Sequence, residues 1–215
     1  MLKDSMLDQW LAADLNVLIE GPHGIGKTEQ VIACMKRNNV KYIYLSASTM
    51  DPYLDFVGIP RVVEKDGKNE LDFIQKSVFA DGFEVIVIDE LNRAPKKVMN
   101  ALMELIQFKT VNGKPVSNVR AVWAMINPVD EEDTYNVERL DPAQEDRFQI
   151  KISLPSGPQE TYFTKKHGEL GKVAVAWYKK LDAVIKKKNV ISPRRLEYAI
   201  VAHNKGIDIS YVLPN

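Results

Sequence analysis

Asn16-Val17-Leu18-Ile19-Glu20-Gly21-Pro22-His23-Gly24-Ile25-Gly26-Lys27-Thr28 is the stretch on which the reading of this chain turns. A short apolar run leads into Gly-x-x-x-x-Gly-Lys-Thr, and helix-forming residues follow from Lys27. Glycines let backbone amides curl around phosphate oxygens without Cβ clashes, and a helix N-terminus adds partial positive charge at the same place. A lysine here carries a point charge to the outer phosphates, and a threonine hydroxyl is a hard oxygen ligand for Mg²⁺. Gly21, Pro22, His23, Gly24, Ile25 and Gly26 are therefore read as a phosphate cradle that Lys27 and Thr28 close. His23 stands at a wild-card position and is read as a solvent-facing spacer.

Outward from this loop, short apolar runs alternate with helical stretches. Asn16–Glu20, Tyr42–Ser46, Val85–Asp89, Ala121–Asn127 and Phe148–Leu154 are rich in Val, Ile, Tyr and Phe and read as strands. Three of them are nearly unbroken apolar runs, which suits a parallel sheet covered on both faces. Lys27–Asn38 and Lys97–Phe108 have helical spacing, with Val98, Leu102, Leu105 and Ile106 on one face. Strand and helix in alternation predict an α/β fold. After Leu154 only helical patterns remain, clearest over Lys172–Lys188 and Pro193–Asn204. The division expected is an α/β nucleotide-binding core over 1–154 and a short helical lid over 155–215.

Val85-Ile86-Val87-Ile88-Asp89-Glu90 reads as a buried strand ending in two carboxylates. In a parallel sheet that edge is where ligands bind. With the phosphate loop upstream, Asp89 is placed to hold Mg²⁺ and Glu90 to polarise a water for in-line attack on a γ-phosphate.

Around this pair the motifs become specific. Asp89-Glu90-Leu91-Asn92-Arg93-Ala94-Pro95 resembles the signature of MoxR-type AAA+ ATPases. Leu54-Asp55-Phe56-Val57-Gly58-Ile59-Pro60 is similar to that family's segment after the second strand, and Ala124-Met125-Ile126-Asn127-Pro128 to its sensor-1 strand end. Thr134-Tyr135 and Leu140-Asp141-Pro142-Ala143-Gln144-Glu145-Asp146-Arg147-Phe148 resemble the stretch before its fifth strand. The resemblance runs through five motifs in order. It implies strand order 5-1-4-3-2, a helical lid, ATP and Mg²⁺ as ligands, ATP hydrolysis, and a homo-oligomeric ring, most often a hexamer. It also implies a protein client, handled in some members with a von Willebrand factor A-domain partner.

Further site residues follow from the same resemblance. Asn127 stands at the sensor-1 position, where a neutral amide can hydrogen-bond both γ-phosphate and attacking water. Arg147 stands at the arginine-finger position, where a planar guanidinium reaches a neighbouring subunit's phosphates. Arg139 and Arg93 are lesser candidates for contacts between subunits. Ser192-Pro193-Arg194-Arg195 has an N-cap serine and a first-turn proline, followed by two arginines facing the unfavourable end of the helix dipole. Arg194 is read as sensor 2, with Arg195 second. Lys109–Val116, with its Asn112-Gly113 turn, reads as a hairpin facing a ring pore or lying on the surface, and Glu64–Glu70 as a polar turn with the same two readings.

The 215 residues, 45% apolar and 27% charged, are ordinary globular composition. One cysteine, Cys34, excludes a disulfide framework and is read as a small buried apolar residue in a reducing compartment. No apolar run approaches the ~18 residues needed to cross a bilayer. Residues 1–16, with three aspartates, do not read as a signal peptide, so a cytoplasmic location is expected. Net charge is zero, yet residues 1–150 carry −7 and residues 151–215 carry +7. A whole-chain footprint for nucleic acid is therefore absent, although the basic C-terminal segment keeps a nucleic-acid motor or loader open as an alternative. A GTPase lacks its guanine-reading Asn-Lys-x-Asp, for which Asn204-Lys205-Gly206-Ile207-Asp208 is one residue too long. A small-molecule kinase has no need of the acidic pair with Asn and Arg switches downstream.

Overall fold

A computed structural model describes residues 2–57, 59–74, 82–116, 118–129, 137–188 and 191–213. Gly58 and the Thr134-Tyr135 pair lie outside the described residues. Five strands form one sheet: β1 (Val17–Glu20), β2 (Tyr42–Ser46), β3 (Val85–Asp89), β4 (Ala121–Ile126) and β5 (Ile150–Ser153). Every pairing is parallel and the spatial order is β5-β1-β4-β3-β2, as the resemblance implies. β2 and β3 keep the bounds of their apolar runs, whereas β1, β4 and β5 are one to three residues shorter, because Asn16, Asn127, Phe148, Gln149 and Leu154 sit in the connections.

The apolar runs divide by parity, as the pleat requires. Leu18, Ile86, Ile88, Val122 and Ala124 face α3 (Lys96–Phe108), whose Val98, Leu102, Leu105 and Ile106 are fully buried. Val17, Ile19, Val85, Val87 and Trp123 face the other side, against Leu7 and Leu11 of α1 (Asp4–Ala12) and Val31, Cys34 and Met35 of α2 (Lys27–Arg37). Both faces are covered, so β4 has no exposed residue. Burial pushes the Cys34 thiol up to about 12, with Asp8 adding to the effect, which leaves it an inert core residue.

Two hairpins leave this frame. Lys109–Val116 contains the short ladder Thr110–Val111 with Lys114–Pro115. Glu104 accepts from the Gly113 amide and the Thr110 hydroxyl across that turn. The polar turn at Glu64–Glu70 is the tip of a longer ribbon, Ile59–Lys65 paired with Lys68–Ile74. Its flanks alternate too weakly in the sequence to stand out.

After a capped turn, α4 (Pro142–Glu145), come β5 and then only helices: α5 (Glu160–Lys180), α6 (Ala183–Lys188) and α7 (Pro193–Asn204). The expected single helix over Lys172–Lys188 is corrected. α5 begins at Glu160 and passes through Gly168 at φ +61, a kink only glycine takes cheaply, and the chain breaks at Leu181-Asp182 before α6. Ser192 caps α7 by accepting from the Arg195 amide at 3.2 Å, with Pro193 in the first turn. Among the described residues no helix is long and apolar enough to cross a membrane.

Candidate functional site

A cleft of about 300 Å³ opens where β1, β3 and β4 end and the first turns of α2 and α7 approach. From the phosphate loop it is lined by His23, Gly24, Ile25, Gly26, Lys27 and Thr28. Asp89, Glu90, Asn127 and Arg194 arrive from three other segments. Gly21 and Pro22 stand just behind, offering their carbonyls to Lys27 Nζ at 2.5 and 3.0 Å. The loop's curl depends on glycine at two places: Gly24 has φ +74 and Gly26 φ +84. A Cβ on Gly24 would also stand 3.1 Å from Arg194 Cβ, so loop and α7 pack directly. His23 is exposed at the rim.

Lys27 is 8% exposed and burial lowers its pKa from 10.5 to about 8, against the pull of Asp89 and Glu90. Its third bond goes to Asn127 Oδ1 at 3.0 Å, so the ends of β1 and β4 meet through one ammonium. Thr28 Oγ1 donates to Asp89 Oδ2 at 2.7 Å, and the Tyr44 hydroxyl donates to the same oxygen at 2.9 Å. A hydroxyl and a carboxylate side by side are suitable hard oxygens for Mg²⁺. Among the described residues no three His, Cys, Asp or Glu side chains gather into a cage, so a metal here needs phosphate oxygens to complete its shell. Donor set, buried cation and open cradle fit a Mg-triphosphate.

Glu90 has left-handed backbone, φ +54 and ψ +38, a conformation a non-glycine residue holds only when its surroundings compel it. Arg93 donates to Glu90 Oε1 at 2.9 Å and Ser48 Oγ to Oε2 at 2.8 Å. Arg93, a lesser candidate for contacts between subunits, is paired with Glu90 of its own chain. Of the two α7 arginines, Arg194 lines the cleft, while Arg195 turns away and donates to the Val212 carbonyl at 3.1 Å. Arg147 does not reach the cleft. Its Nε donates to Gln107 Oε1 at 2.9 Å and its NH1 to the Ala143 carbonyl at 2.7 Å, while Glu145 pairs with Lys151 instead. α4 is fixed just ahead of it by reciprocal bonds between Asp141 and Gln144, a capping box worth about 1 kcal/mol.

The family model for the ATPase family associated with various cellular activities (AAA) matches residues 16–150. The chain belongs to the AAA family. This AAA chain is 29% identical over 167 residues to chaperone MoxR1 of Mycobacterium tuberculosis, covering 74% of the chain and 42% of MoxR1. A crystal structure from Cytophaga hutchinsonii, of a protein provisionally described as an ATPase, superposes with a TM-score of 0.52 at 26% identity, covering 83% of this chain and 51% of that one. Both likenesses support the MoxR-type resemblance carried by the motifs. The AAA chain spans about half the length of these relatives.

Sequence reasoning missed Tyr44, Ser48 and the side-chain role of Asn92. Each touches the site only through the packing of β2 or the turn after β3, and neither spacing nor motif marks a hydroxyl that happens to face a carboxylate.

Proposed function

We propose that this chain binds Mg-ATP in the cleft and hydrolyses it, as the nucleotide engine of a homo-oligomeric ring, most simply a hexamer, that remodels a client protein. The observation that carries the reading is convergence. Lys27-Thr28, Asp89-Glu90, Asn127 and Arg194 come from four separate segments and line one cleft. Lys27 neutralises the β- and γ-phosphates, and the cradle amides hold their oxygens. Thr28 and Asp89 would hold Mg²⁺, which when bound would supply charge stabilisation for the diphosphate leaving group. Glu90 accepts the proton of a water aligned with the γ-phosphorus, and Asn127 orients that water. Arg194 reads the γ-phosphate from α7, which makes residues 155–215 a nucleotide-responsive lid on the 1–154 core. Arg147, held outside its own cleft, is supplied to the site of the next copy.

A client protein, with or without a von Willebrand factor A-domain partner, suits the likeness to a chaperone better than nucleic acid does. Part of the positive charge after residue 150 is already engaged: Lys166 bonds Glu197 and Glu29, Lys172 bonds Glu169, and Lys179 bonds Glu160. Binding to DNA or RNA is expected to be weak and lost at moderate salt. The test of the central step is Glu90→Gln, which keeps shape and one hydrogen-bond acceptor but cannot take a proton. Nucleotide binding should persist and phosphate release should stop; unchanged release would remove Glu90 from its role.

A further inference from the structure

β3 and β4 are parallel neighbours whose register runs from Val85 opposite Ala121 to Ile88 opposite Ala124. Past Asp89, which still pairs with Ser46 of β2, the β3 backbone leaves the sheet: Glu90 takes the left-handed conformation and Leu91–Arg93 forms a single 3₁₀ turn. β4 continues to Ile126, so Asn127 is left beyond the last rung on that side. A side chain takes up the missing rung. Asn92 Nδ2 donates to the Asn127 carbonyl at 2.8 Å, and the Asn127 amide donates to Asn92 Oδ1 at 3.2 Å. A primary carboxamide offers the same donor and acceptor pair as a peptide unit, so Asn92 extends the ladder without extending the strand. It is 2% exposed, and among the described residues only Asn16 and Lys27 are other buried polar or charged residues. Its backbone carbonyl accepts from the Glu138 amide at 3.0 Å, which holds the turn in place from a second side.

We propose that Asn92 is a positioning residue for hydrolysis: through the Asn127 backbone it sets the height of the Asn127 side chain, which bonds Lys27, in register with Glu90. Glu90 and Asn92 belong to the same tight turn, so the water-activating carboxylate and the water-orienting amide are fixed to each other rather than separately to the sheet. The proposal rests on the roles given above to Glu90 and Asn127. Buried donor and acceptor pairs tolerate the loss of one partner poorly, which gives the pairing its sensitivity. Asn92→Asp keeps size and the acceptor for the Asn127 amide, but sets an oxygen against the Asn127 carbonyl. Asn92→Ser removes both bonds in a smaller side chain that remains compatible with the turn.

Steady-state phosphate release and equilibrium binding of a fluorescent ATP analogue with Mg²⁺ separate the possibilities on the full chain. Asn92→Asp should lower kcat by about 30-fold or more with analogue Kd within threefold of wild type, and Asn92→Ser should follow in the same direction. In an Asn127→Ala background, either change should cost less than threefold further, because the side chain being positioned is gone. The inference is overturned if kcat stays within threefold of wild type in both single variants. It is equally overturned if nucleotide affinity and melting temperature fall in parallel with kcat, the signature of general loosening. A wild type that releases no phosphate, or an Asn127→Ala variant with full turnover, would strike the underlying hydrolytic reading, and this proposal with it.

Discussion

The cleft at the sheet edge and the Arg147 corner are built to different ends. In the cleft, Lys27 is bonded to Asn127, Thr28 to Asp89, and Glu90 to Ser48 and Arg93 before any nucleotide is considered, at 2.7 to 3.0 Å. At the corner, Arg147 is parked on Gln107 and the Ala143 carbonyl, next to a capped turn, with no part in the cleft. One region is a set of bonded side chains around an open cleft; the other is a half-buried cation held on its own chain outside that cleft. On the proposed reading, a single copy holds nearly everything for gripping a triphosphate, and the charge that helps break it comes from the next copy.

Removing the presented charge should give the largest contrast. Arg147→Ala is expected to reduce turnover by roughly 10³-fold, in the range known for such guanidinium groups, while nucleotide Kd stays within threefold. A Kd that rises in step with the loss of turnover would mean that Arg147 serves binding in its own copy. The two α7 arginines sharpen the contrast further. Arg194→Ala should weaken turnover by about 10- to 100-fold, whereas Arg195→Ala gives up one hydrogen bond to Val212 and should alter turnover less than threefold. Equal losses in the two variants would show that α7 acts as a whole rather than through one guanidinium.

The smallest effect concerns pH and belongs to the grip alone. With Lys27 held at about 8 by burial, the ammonium that binds phosphate is depleted as pH rises through that value. Nucleotide affinity should therefore weaken above pH 8, by at most tenfold per unit, with proton uptake on binding. The sign for stability is opposite. Unfolded Lys27 binds its proton more tightly than folded Lys27, so its contribution favours the fold increasingly between about pH 8 and 10.5. Flat affinity from pH 7 to 9.5, measured by titration calorimetry, would show that the bound state does not depend on Lys27 charge.

What could be read from the sequence was what is local. The phosphate loop announces itself in eight consecutive residues, and β3 declares both its burial and its ligand-facing end within six. Strand order and the α7 cap followed from motifs of the same kind. The bonding of the Asn92, Ser48 and Tyr44 side chains cannot be read from the sequence, because their partners lie 35 to 45 residues away and are chosen by packing. The kink at Gly168 was missed because a glycine within a helical pattern carries no label for the φ it takes. The preference for Arg194 over Arg195 came with the resemblance; the close approach of α7 to Gly24 is not revealed by any spacing of charges along one helix.

Mixing two inactive variants tests the shared site most directly. Lys27→Ala copies cannot grip nucleotide and Arg147→Ala copies cannot lend the guanidinium, so each alone should be silent. Combined at varying ratios, phosphate release should reappear and peak at intermediate composition, because a Lys27→Ala neighbour can lend its Arg147 to an intact grip. Silence at every ratio, with both variants assembled normally, would contradict a site completed by a second copy.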